Sequence, residues 1–320
     1  MDKILFKAHS FLAIQAIICL LIGLLVWIVP LFNEDFFPVN IHRYFVINGF
    51  FLSFIFSLFL KKYDYQENVL YIISFPLVFI LGFIYLQYTD GQKYFLINSL
   101  LQFFILGFFL LKKKNNFMMI LSIVLNISLN LFEYYESYSF FGSDHFIGYV
   151  ILIFALLDGK SNLKRISLFS TLLIITLLIP YKFRNYIQSF LLLGSCFPYF
   201  NRSKKYFDWG ISIGLFNILL AYLLPNFMRN LGIHLTHVLF IGGFVLALVS
   251  IGLRSYFPNS NSKFILWFIG LMEFTMLTRV SAFYMKEAYE SHLAYASILI
   301  LVTFILFCIF YIKQRKLVTK

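Results

Sequence analysis

The stretch Ile233 to Arg254, IHLTHVLFIGGFVLALVSIGLR, runs for about five helical turns with scarcely a polar side chain. A segment of that length and content crosses a bilayer as a helix. It contains Gly242, Gly243, Ala247 and Ser250, small residues of the kind that let membrane helices approach closely. The rest of the chain is built in the same way. Of its 320 residues 61% are hydrophobic and 12% charged, and the mean hydropathy is +0.85. These values exclude a soluble domain. They also exclude a transmembrane barrel, whose strands would be short and alternating. The expected architecture is all-α: a polytopic transmembrane helical bundle.

Apolar runs fall at 11–32, 42–60, 69–87, 94–111, 116–132, 145–157, 166–180, 186–200, 208–226, 233–253, 264–285 and 292–312. They predict about twelve helices joined by short loops, forming one membrane domain over 1–320. The runs at 145–157 and 186–200 are short for a span. The basic N-terminus leads into an uncleaved first helix, because no small-residue cleavage site follows it. The net charge of +12 is no sign of nucleic-acid binding, since the cations sit in small clusters between the runs. Every second connection, counted from the N-terminus, collects nineteen of the 26 Lys and Arg residues, from Lys3 and Lys7 to Lys313, Arg315, Lys316 and Lys320. The other seven share their loops with Glu34, Asp35, Asp90, Glu133, Glu136, Asp144, Glu287 and Glu290. By the positive-inside rule both termini are cytoplasmic.

That topology puts His42, His145, His234, His237 and His292 at helix starts on the outer side, with His9 alone inside. His234 and His237, three apart, share a helix face. Imidazoles at helix mouths serve as metal or haem ligands, or as plain amphipathic interface residues. His42 and Gly49 are seven apart, two α-helical turns, so that the glycine leaves flat space beneath the histidine for a porphyrin edge or for a neighbouring helix. A faint echo relates helices one–two and nine–ten: a spanning run, a polar outer loop, then His and Gly.

Helix eleven carries Glu273 and Arg279. An intramembrane acid is costly and is expected to face a partner helix or water rather than lipid, whereas Arg279 can snorkel to the interface. The aromatic, acidic segment 132–144 reads as an interfacial belt. Cys19, Cys196 and Cys308 show no CxxC spacing, so neither a disulfide framework nor a thiolate metal site is supported. No phosphate loop, Ser-His-Asp set or HExxH occurs, so hydrolase and nucleotide chemistry lack support.

Two segments carry a resemblance. Counting back from Arg254, His237 and Gly242 stand where LHxLTVGxxGxMxLxxMxR has its histidine and first glycine. In NIHRYFVINGF, His42, Gly49 and Phe50 match the first histidine and closing Gly-Phe of WHAHEMxFGF. Both patterns belong to the NnrS family, and the chain resembles that family over essentially its whole length. The second histidine and the Glu of the latter motif fall at Tyr44 and Phe45, and a GHTGR segment is replaced by residues 255–261, SYFPNSN. The resemblance implies a twelve-helix bacterial inner-membrane protein linked to nitric oxide and nitrosative stress, containing haem and copper. It implies His42 and His237 as ligands, with His234 and His292 in reserve. Nitric oxide or a redox partner would be its counterpart, beside the lipid bilayer; no enzymatic turnover is implied. Two rival readings stand: a proton-coupled small-molecule transporter centred on Glu273, and a metal-free membrane scaffold or sensor.

Overall fold

A computed structural model describes residues 8–26, 28, 41–42, 44–62, parts of 73–84, 101–103, parts of 124–127, 146–157, 163–179, 181–200, 205–227, 232–258, 262–282, 284–285 and 289–318. The expected helices at 69–87, 94–111 and 116–132, the loop 132–144 and His145 lie largely or wholly outside these residues. Among the described residues the secondary structure is helical, with no strand. Among the described residues five helices are long and apolar enough to cross a membrane: Tyr44–Lys62, Tyr206–Leu223, Leu235–Tyr256, Phe264–Ser281 and Ser291–Phe310. The chain divides into two compact units, Met1–Phe140 and Phe141–Lys320.

In the first unit, α1 (Ala8–Leu25) packs along α2 (Tyr44–Lys62). α2 is not uniform. Its first eight residues, Tyr44–Phe51, form a π-helix, and the remaining eleven, Leu52–Lys62, an α-helix that is buried on every side from Leu52 to Leu60. Burial all round marks a core helix rather than a surface one. Lys61 and Lys62 end it, where cations complement the helix dipole.

The second unit contains α3 (Ile147–Leu157), α4 (Leu163–Ile175), α5 (Tyr181–Phe200), α6 (Tyr206–Leu223), α7 (Gly232–His237, Val238–Val245 and Leu246–Tyr256), α8 (Phe264–Ser281) and α9 (Tyr289–Val318). α3 has eleven residues, about 16 Å at the α-helical rise, half of a hydrocarbon core. The middle segment of α7, Val238–Val245, is again a π-helix of eight residues, followed again by eleven α-helical ones. α6 lies against α5 and α7, and α8 lies against α9, α6 and α7. An aromatic group, Phe146, Tyr149, Phe240 and Phe244, joins the start of α3 to the π segment, with ring centroids 4.9–6.4 Å apart.

α8 has the two-sided pattern that suits a membrane helix. Its inner side buries Ile265, Phe268, Ile269, Met272, Thr275, Met276 and Arg279. Its outer side exposes Trp267, Phe274 and Leu277, at helical spacing along one face. Water penalises such a continuous apolar stripe; a bilayer does not.

Candidate functional site

The seam of α6 and α7 is made of residues with almost no side chain. A Cβ on Gly214 would lie 2.8 Å from the Ala247 amide nitrogen and 2.9 Å from the Gly243 carbonyl oxygen. A Cβ on Gly210 would collide with Ser250 Oγ, and one on Gly243 would sit 2.8 Å from Ile218 Cγ1. Gly210 and Gly214 are a Gly-x-x-x-Gly pair, and their partners are the small residues of α7. At one end of the seam Asp208 meets Arg254 at 3.7 Å, while Lys205 Nζ donates to the Pro258 carbonyl.

Midway along this seam lies a polar centre. Asn217, buried on α6, donates from Nδ2 to the Gly242 carbonyl at 3.0 Å and to Glu273 Oε1 at 2.7 Å. Three helices thus meet at one amide. Gly242 is confined there, since a Cβ would collide with Met276 Sδ and lie 2.8 Å from Asn217 Nδ2. Glu273 is half-buried and bonded to a neighbouring helix, as expected of an acid in a span. Arg279, 4% exposed, is buried rather than snorkelling. It belongs to the buried side of α8, a helix on which α9 and α7 both pack.

The first unit holds a comparable amide. Gln102 Nε2 donates to the Asn48 carbonyl in the π segment of α2 at 3.0 Å. His42, just ahead of that segment, is half-buried, and its Nδ1 lies 2.7 Å from the Gly23 carbonyl. A carbonyl only accepts, so Nδ1 donates and a neutral ring carries its lone pair on Nε2. That is how ligating histidines are held: an outer acceptor fixes the tautomer and the ring orientation. The Tyr44 hydroxyl donates to the Val78 carbonyl at 3.0 Å and the ring is wholly buried, so at this position the hydroxyl ties chain segments together.

The face-sharing expected of His42 and Gly49 does not hold. The i→i+5 bonding of Tyr44–Phe51 widens the turn, and seven residues no longer make two whole turns. Nor does flat space lie beside the glycines: Cys19 fills it at Gly49, with Sγ 2.7 Å from a Cβ placed there, and Met276 and Asn217 fill it at Gly242. His42 therefore fits an axial ligand, while neither glycine offers a porphyrin slot. His237 is half-buried at the junction of the first two segments of α7. His234 lies within Gly232–His237, and its side chain is outside the described residues. His292 Nδ1 lies 3.3 Å from Ser281 Oγ, joining the start of α9 to the end of α8. His42 belongs to one unit and His237 to the other. Among the described residues no three His, Cys, Asp or Glu side chains gather as a metal site.

Asn217 and Gln102 went unread in the sequence because a lone amide in an apolar run adds no charge. The signal was there for Asn217: a polar residue inside a span, one turn past Gly214 and two past Gly210. Scans against protein-family models, curated proteins and solved structures returned no match.

Proposed function

We propose that the chain is an NnrS-like, haem- or metal-associated protein of a bacterial inner membrane, with both termini cytoplasmic, acting in the response to nitric oxide or nitrosative stress. The observation that supports this reading is the His42 imidazole held through Nδ1 by the Gly23 carbonyl, which readies Nε2 for a metal. A bound haem iron would supply the nitric-oxide-binding or redox centre, and His42 in the first unit would hold it. Gly23 sets the tautomer of His42, and the buried Tyr44 tether keeps the segment beside it in place. His234 and His292 stand in reserve as ligands, and copper is the second metal of this reading.

The test is an absorption spectrum and metal analysis of the purified protein. A Soret band lost in His42→Ala is expected. A band unchanged by that substitution, or no band and no metal, rejects the ligand assignment. Reporter fusions at Lys320 and within 133–144 should report opposite sides of the membrane; the same side removes the topology.

A second reading, a proton-coupled carrier, is favoured by the bonded intramembrane acid, Glu273 to Asn217.

A further inference from the structure

We infer that Asn217, the Gly242 carbonyl and Glu273 form a binding site for one small exchangeable cation, a monovalent metal ion or a proton. The inference rests on α8 spanning the membrane and not on the haem reading.

Both N–H groups of Asn217 are spent on acceptors, the Gly242 carbonyl at 3.0 Å and Glu273 Oε1 at 2.7 Å. The amide nitrogen, with its partly positive hydrogens, sits between two oxygens contributed by two other helices. With the two bonds about 120° apart at a planar NH2 group, those oxygens are about 5 Å apart, the span that an ion bonded to oxygen at 2.3–2.6 Å bridges. The amide thus stands where a cation belongs. A half-turn about the last side-chain torsion of Asn217, a soft two-fold rotation, exchanges Nδ2 for Oδ1. The site then presents three oxygens from three helices, a hard-cation set. Without a cation that rotamer brings oxygens against each other, and the NH2 group returns. One carboxylate gives the set a single negative charge, which matches a monovalent ion or a proton.

Three further features fit. Gly242 belongs to a π segment, and such wide turns recur at functional sites; carbonyls in interrupted membrane helices coordinate coupling ions. Among the described residues Asn217 is the hydrogen-bond partner of Glu273, and no Lys, Arg or His pairs with it. A carboxylate so placed is neutralised by a proton or by an ion rather than by a side chain. The groups facing it are an amide from α6 and a carbonyl from α7; the cation of its own helix, Arg279, lies six residues on.

The experiment uses the full chain in lipid nanodiscs. Thermal unfolding is followed against Li+, Na+ and K+ at fixed pH and ionic strength, with a bulky organic cation as the balance. Infrared difference spectra across pH follow the carboxyl band. A metal-ion site gives a saturable rise in Tm with one alkali ion. A proton site gives a carboxyl band that changes with pH and no alkali response. Glu273→Gln keeps an acceptor for Asn217, so it folds, and it should abolish whichever response the natural chain shows. Asn217→Leu should raise the half-saturating cation concentration, or shift the band's midpoint equivalently, by about tenfold or more, as loss of a ligand-positioning group does. The inference is overturned if neither response occurs, or if Glu273→Gln responds like the natural chain. His42→Ala should leave the response intact, and Glu273→Gln should leave any Soret band intact, so this site and the haem reading fail separately.

Discussion

The two wide-turned helices, α2 and α7, are variations on one plan. Each pairs with a preceding straight helix of eighteen residues, α1 or α6. Each has eight π-helical residues and then eleven α-helical ones. The π segments YFVINGFF and VLFIGGFV share Ile, Gly and Phe at the fourth, sixth and seventh places: Ile47 and Ile241, Gly49 and Gly243, Phe50 and Phe244. In each, the carbonyl of the fifth residue, Asn48 or Gly242, accepts from a side-chain amide. The plans then part. Gln102 serves its carbonyl alone among the described bonds, whereas Asn217 also holds Glu273. Gly49 meets a cysteine side chain, whereas Gly214 on the opposing helix meets backbone. The common scaffold is a helix widened at one place and tied by an amide; the acid is what the second unit adds.

The largest effect should come from the seam. Gly214→Leu forces a side chain against the Ala247 amide and the Gly243 carbonyl; backbone cannot swing aside, so a loss of about 3 kcal/mol or more is expected. Gly49→Ala sets a Cβ 2.5 Å from Cys19 Cβ, which turning the thiol does not move, so α1 itself must yield and about 2 kcal/mol should be lost. Equal losses in Tm would erase the difference between the two pairs. Next come the amides. Asn217→Leu removes two interhelical hydrogen bonds and should destabilise by about 1–2 kcal/mol, against about 0.6 for Gln102→Leu. Denaturation in mixed micelles measures both, and the reverse order would place the more important tie in the first unit. His42→Phe, which removes the bond to Gly23, should lose about 1 kcal/mol. The smallest effect belongs to Glu273→Gln, about 0.5 kcal/mol or less, because the amide oxygen still accepts from Asn217. A large loss there would make the carboxylate's charge structural.

Much of this was legible before the fold. The run at 233–253 became α7, and its small residues became the seam, because apolar length and residue size act directly in a bilayer. The acid at 273 was read as facing a partner, and the partner is Asn217. The wide turns were not legible. Periodicity reasoning assumes 3.6 residues per turn, so the register of His42 to Gly49 was counted on the wrong cylinder. The echo between the two helices was visible through its histidines, yet the equivalent glycines are Gly49 and Gly243.

The glycine seam also bears on movement. With backbone atoms under 3 Å from where a Cβ would stand at Gly214, α6 and α7 can neither slide nor roll past one another without collision. They travel as a single rod. α8 packs on that rod through Ile269 at Gly210 and Met276 at Gly242, and Glu273 adds one hydrogen bond of order 1 kcal/mol.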